Sequence, residues 1–162
     1  MTQLPKKYYY DIYLMYMVKN RIKLNNTLLQ QCNINLRDHH GRNALYWAIY
    51  YSSEFNVRKL LQYNIDLYVE PRLHALFHAV ALGNRIIVGN ILAQDVNINM
   101  RNAQGQTPLM VAILNKNSAM VHYLMRYGAD ATVVCYQNKS VYDYARISQT
   151  LEIQNIFAKQ AV

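Results

Sequence analysis

The sequence predicts an all-α solenoid of about five helix-turn-helix units with short β-hairpin fingers, filling residues 1–162 as a single domain. Three observations carry that expectation. Compared with itself, the chain repeats at an offset close to 33 residues, the spacing that separates Ala79, Ala112 and Ala145. Within each repeat, two apolar stripes of helical period flank a short polar turn. At 162 residues and 52% hydrophobic, the chain is long enough for one extended core or a short repeat array, but hardly for two unrelated domains.

The first unit, approximately residues 5–36, is an N-terminal cap. Its opening MTQLPKKYYYDIYLMYMVKN reads as a mature first helix, because Asp11 and the tyrosines interrupt what would be a signal peptide's apolar stretch. Ile12, Leu24, Leu28 and Asn33-Ile34-Asn35 repeat the closing half of a unit, and Tyr8, Tyr9, Tyr10, Tyr13 and Tyr16 would cover the open face. The second unit, 37–68, contains DHHGRNALYWAIYYSSEFNVRKLLQYNID, with Leu45, Ala48, Val57, Leu60 and Leu61 at core positions. The third, 69–100, contains LHALFHAVALGNRIIVGNILAQDVNIN, with Leu76, Ala79, Val88, Ile91 and Leu92 in register.

One spacing departs. Ala48 and Ala79 are 31 residues apart, and the loss falls between Asp66 and His74. Arg72 then stands where the turn glycine belongs and His74 where the helix cap belongs, so the finger entering the third unit should be shortened or reshaped. The fourth unit, 101–133, is the clearest. Thr107 is a natural N-cap and Pro108 a natural first helical residue, since proline has no amide to leave unsatisfied. Leu109, Ala112 and Ile113 share a face, Asn115 to Ser118 supplies a turn, and Val121, Leu124 and Met125 form a second stripe ending at Gly128. The fifth unit, 134–162, repeats the opening half through Asn138, Ser140, Tyr142 and Ala145 and serves as the C-terminal cap.

With GQTPLMVA and YLMRYGAD in the fourth unit, the pattern resembles the ankyrin repeat, approximately D-x-x-G-x-T-P-L-H-x-A-A followed by V-x-x-L-L-x-x-G-A-D-V-N. The resemblance implies a non-catalytic protein-binding module that uses a concave groove and finger tips. It assigns contact positions to His39, His40 and Arg42 on the second finger, to Trp47, Tyr50 and Tyr51 on the following helix, to Tyr63, and to Gln104, Gln106 and Tyr127 in the fourth unit. Lys6, Lys7 and Tyr9 would be first-unit contacts, whereas Tyr46 takes the place of a family histidine that packs within the stack. The expected partner of this monomer is a protein with an acidic and apolar face. Adaptor, inhibitor and host-directed effector are the roles the resemblance allows.

Lysine plus arginine number 17 against 9 acidic residues, a net charge of +8, which keeps a binder of nucleic acid or another anionic surface as the alternative. The basic residues are scattered as singles and pairs, an arrangement that suits a solvated surface better than a phosphate track. Cys32 and Cys135 lack a CxxC partner, so neither a disulfide framework nor a zinc ribbon is indicated. The compartment expected is a cytoplasm, of the source cell or of a host cell if the protein is secreted. His39 and His40 should point apart if they lie in an extended strand, and His74 and His78 are read as a cap and an exposed helix position. No metal, cofactor or membrane span is expected. GxSxG, Walker and GxGxxG patterns are absent, so no catalytic residues are assigned.

Overall fold

The structure, a computed structural model, describes residues 6–158, with side chains from Tyr9 onward. The contact roles of Lys6 and Lys7 and the covering role of Tyr8 therefore lie outside the described side chains. Among the described residues the fold is all-α apart from one small hairpin. The chain divides into two compact halves, Met1–His78 and Ala79–Val162.

In the N-terminal half, α1 (Lys6–Lys19) packs on α2 (Asn26–Gln31) and α3 (Ala44–Tyr50), and α3 packs on α4 (Glu54–Leu61). Leu14, Met17 and Val18 of α1 join Leu45, Ala48, Ile49, Val57 and Leu60 in the core. Ile12, expected in register with the buried positions, is instead 52% exposed, because α1 turns Leu14, Met17 and Val18 inward. Asn56 is fully buried on α4. Its Oδ1 accepts from the Leu24 amide and its Nδ2 donates to the Ile22 carbonyl, both at 3.0 Å, which fastens the connection between α1 and α2.

The third finger is the hairpin of β1 (Tyr68–Glu70) and β2 (Leu73–His74), paired antiparallel with Tyr68 opposite His74. Pro71 precedes Arg72, whose φ is +68°, the pattern of a type II turn. Arginine thus holds a left-handed position that glycine would fill without steric cost. The other fingers are five-residue turns. In Asp38–Arg42, Asn102–Gln106 and Cys135–Lys139 the first amide donates to the fifth carbonyl, and the fourth amide donates to the first carbonyl. Gly41, Gly105 and Asn138 occupy the left-handed place in them. The finger of the third repeat is thus reshaped as its shorter spacing predicts.

Caps recur with the repeat. Asn43 accepts from the Tyr46 amide (3.1 Å), Thr107 from Met110 (3.4 Å), and Ser140 forms a reciprocal box with Asp143. At the equivalent place His74 does the same work with a ring nitrogen, its Nδ1 accepting from the Leu76 amide at 3.1 Å to open α5 (Ala75–Leu82). In the C-terminal half, α6 (Arg85–Leu92), α7 (Pro108–Leu114), α8 (Ser118–Arg126), α9 (Val141–Ser148) and α10 (Leu151–Ala158) follow. Leu109, Ala112, Ile113, Val121 and Leu124 are fully buried there, as the register of the fourth repeat requires. Asp66 and Asp130 close their repeats, each receiving the next-but-one amide on Oδ1.

Candidate partner-binding surface

Asp38 organises the second finger. Its Oδ1 accepts from the His40 amide (2.9 Å) and the Arg42 amide (3.0 Å). Its Oδ2 accepts from Arg42 Nε (3.2 Å) and from the Trp47 indole N–H (3.1 Å). Burial alone would raise this carboxyl, but the Arg42 and His40 amides, the Trp47 indole and the Arg42 charge outweigh it and hold it below the ordinary carboxylate range. Arg37 braces the finger from behind, donating to Gly41 O (2.7 Å), to Asp66 Oδ2 (2.6 Å) and to Tyr68 O (2.7 Å). At Gly41, φ +76°, a Cβ would lie 2.9 Å from Pro71 Cδ, so the second finger approaches the third closely enough to require glycine.

Four aromatics of α3 and its end form one cluster. Trp47 meets Tyr46 and Tyr50 edge-on at 5.3 and 5.9 Å and stacks with Tyr51 at 6.0 Å. Three cations sit against it. Lys19 Nζ lies 4.4 Å and Arg42 Cζ 4.5 Å from the Trp47 ring centroid, and Arg21 Cζ lies 5.3 Å from that of Tyr51. Tyr50 is 50% exposed, whereas Trp47 and Tyr51 are half-buried. Sequence spacing gives no sign of Lys19 or Arg21 at this surface: Lys19 ends α1 and Arg21 follows it, and both reach the cluster only through the packing of α1 on α3.

The remaining expected contacts divide. His39 and His40 are exposed at the finger tip, with ring centroids 3.9 Å apart. They lie in a turn rather than an extended strand, so the alternation expected to part them does not apply. Tyr63 is half-buried beyond the end of α4 and is not one of the cluster's rings. In the C-terminal half, Gln104 is exposed and Tyr127 is 57% exposed, stacked on Tyr123 at 4.5 Å. Gln106 is turned inward and donates from Nε2 to the Tyr144 hydroxyl at 3.1 Å, which ties its finger to α9.

His78 requires a correction. Expected on an exposed helix position, it is 8% exposed and stacked on Tyr46 at 4.3 Å, with Nε2 buried and unpaired. Burial pushes its pKa down to about 4, with the Tyr46 backbone opposing part of the shift. Burial also lowers that of His74, against the raising influence of Asp66. Among the described residues no group of three or more His, Cys, Asp or Glu side chains is placed to hold a metal ion. No helix among them is long and apolar enough to cross a membrane. Both cysteines are free thiols.

A family model described as ankyrin repeats (many copies) matches residues 73–145. A palmitoyltransferase of Danio rerio is 32% identical over 84 residues, 49% of this chain and 14% of that protein. An ankyrin repeat protein of Acanthamoeba polyphaga mimivirus is 22% identical over 144 residues, 84% of this chain and 19% of its own length. One of fowlpox virus is 28% identical over 102 residues, 63% of this chain and 24% of its own length. The matched segments thus span less than a quarter of these relatives. With the recurring caps, glycine-type turns and paired helices, these matches show ankyrin repeats over residues 73–145 and support an ankyrin repeat protein family.

Proposed function

We propose that the chain is a non-catalytic, monomeric interaction module that grips an acidic segment of a partner protein, one carrying apolar side chains, through the surface of its second repeat. Ankyrin repeats in general are protein–protein interaction modules. The observation that carries the reading is the set of three cations, Lys19, Arg21 and Arg42, against four aromatic rings with a single carboxylate, Asp38, among them. Among the described residues neither Lys19 nor Arg21 has a carboxylate partner. A partner's Asp or Glu side chains would supply one, while its apolar side chains cover the exposed face of Tyr50. His39 and His40 would flank the segment, with Gln104 and Tyr127 offering contacts of their own in the C-terminal half. The net charge of +8 would steer an acidic partner toward encounter. The two viral ankyrin relatives support looking for that partner among host proteins as well as the source organism's own, as a host-directed effector would require.

Trp47 is a poor residue to truncate, because its loss would leave Asp38 short of a donor and disturb the finger. The test is therefore affinity capture with native protein and with a Tyr50→Ala, Arg21→Glu variant of unchanged circular dichroism, followed by titration of the captured partner. The variant should bind at least about tenfold more weakly, as loss of an interface tyrosine and a steering charge implies. Undiminished capture would reject this surface. Recovery of nucleic acid alone, with affinity collapsing between about 50 and 200 mM salt, would reject the protein-partner reading.

A further inference from the structure

In the C-terminal half, α6 and α8 border a cavity of about 200 Å³ lined by Arg85, Ala119, His122, Tyr123, Arg126 and Tyr127. The lining follows from sequence spacing. Ala119, Tyr123 and Tyr127 succeed each other at four-residue steps along α8 and its end, as do His122 and Arg126, so two neighbouring rows of one helix face the cavity. Arg85, the first residue of α6, closes it from the other side. Gly89 allows the approach of Tyr123: a Cβ there would lie 2.6 Å from the Tyr123 hydroxyl. The Tyr123 and Tyr127 rings stack at 4.5 Å, 28° from parallel, and form one wall.

The donor set is one-sided. Two guanidinium groups, an imidazole and two phenols line the cavity, and no carboxylate does. The ion pairs among the described residues, Arg37–Asp66, Arg42–Asp38 and Arg146–Asp143, use neither Arg85 nor Arg126. Burial, together with the neighbouring Tyr127 hydroxyl, pushes the Tyr123 pKa up to about 12 although the Arg85 charge opposes it. Its phenol, like any tyrosine's, is protonated at neutral pH and can donate. A carboxylate would use only part of this set. A tetrahedral oxyanion of charge near two offers acceptors in several directions and matches two guanidinium forks, the pairing that charge-assisted bonds favour.

We propose that this cavity binds a phosphate-monoester dianion or inorganic phosphate, held between Arg85 and Arg126, with His122 and the Tyr123 hydroxyl completing its hydrogen bonds. The exposed ring of Tyr127, one of the lining residues, gives the organic part of an ester a flat apolar surface.

The full chain, labelled with nitrogen-15, is titrated with inorganic phosphate and separately with phenyl phosphate against chloride of equal ionic strength, following backbone amide shifts. Saturable shifts are expected at Arg85 and along Ala119–Tyr127, and the Arg85→Gln, Arg126→Gln variant should weaken them at least about tenfold while its circular dichroism is unchanged. Should that pair disturb folding, Arg126→Gln alone is expected to weaken binding in the same direction. Phenyl phosphate binding about tenfold tighter than inorganic phosphate identifies the phosphoryl group of an aromatic side chain as the source; equal binding identifies free phosphate. Shifts that fail to saturate with either probe, that spread evenly over the chain's other arginines, or that persist in the folded variants would overturn the proposal.

Discussion

Acid should destabilise the N-terminal half through His78 as pH falls below about 6.5. Buried against Tyr46 and lacking a partner for Nε2, this imidazole is held neutral, its pKa pushed down to about 4 from an ordinary value near 6.5. A depressed folded-state pKa means that the stability it contributes is fully present above about pH 6.5 and is lost as pH falls through 4, because the unfolded chain takes up the proton first. The shift of about 2.5 units corresponds to about 3.4 kcal/mol at completion and to about 2 kcal/mol by pH 5. His74, lowered in the same sense, adds to the fall within the same window. Asp38, Asp130 and Asp143 are lowered from an already low range, so they act only in stronger acid. The assay is urea unfolding followed by fluorescence of Trp47, the single tryptophan, at pH 7 and pH 5. Native protein should lose about 2 kcal/mol or more between the two, and His78→Phe, which keeps a ring against Tyr46, should lose about 2 kcal/mol less. An equal loss in both proteins would refute the assignment of this dependence to His78.

Two further predictions concern the framework. Ala112, fully buried on α7, leaves no room for a longer polar side chain, so Ala112→Gln should cost about 3 kcal/mol or more; an unchanged thermal transition by circular dichroism would disprove the repeat register. Asn56→Ala removes both bonds to the connection between α1 and α2 and leaves the Leu24 amide and Ile22 carbonyl unpaired, at a cost of about 2 kcal/mol in chemical denaturation. A loss below about 0.5 kcal/mol would mean that water replaces the clamp.

The repeat framework was legible because its signals are local and periodic. Thr107-Pro108, the alanines at 33-residue spacing and the missing residues before His74 each act within a few positions of themselves, and each appears in the structure where it was read. His78 and Ile12 were misplaced because the side a helix turns inward depends on what packs against it, and a single apolar-rich stretch such as ALFHAVAL does not say which side that is. The finger position of Gln106 suggests a contact, yet its amide is committed to Tyr144, 38 residues onward. Lys19 and Arg21 carried no sequence signal as surface residues of the second repeat. Only the packing of α1 on α3 brings their charges over Trp47 and Tyr51.

Asp38 has a consequence for how this surface can change over evolutionary time. One carboxylate turns the finger, neutralises Arg42 and fixes the indole of Trp47, so a substitution at any of the three is felt as misfolding before it is felt as altered taste for a partner. His39, His40, Tyr50 and Arg21 carry no such obligation, being exposed and outside that node. Drift in specificity should therefore concentrate at those four positions, while Asp38, Arg42 and Trp47 vary together or not at all.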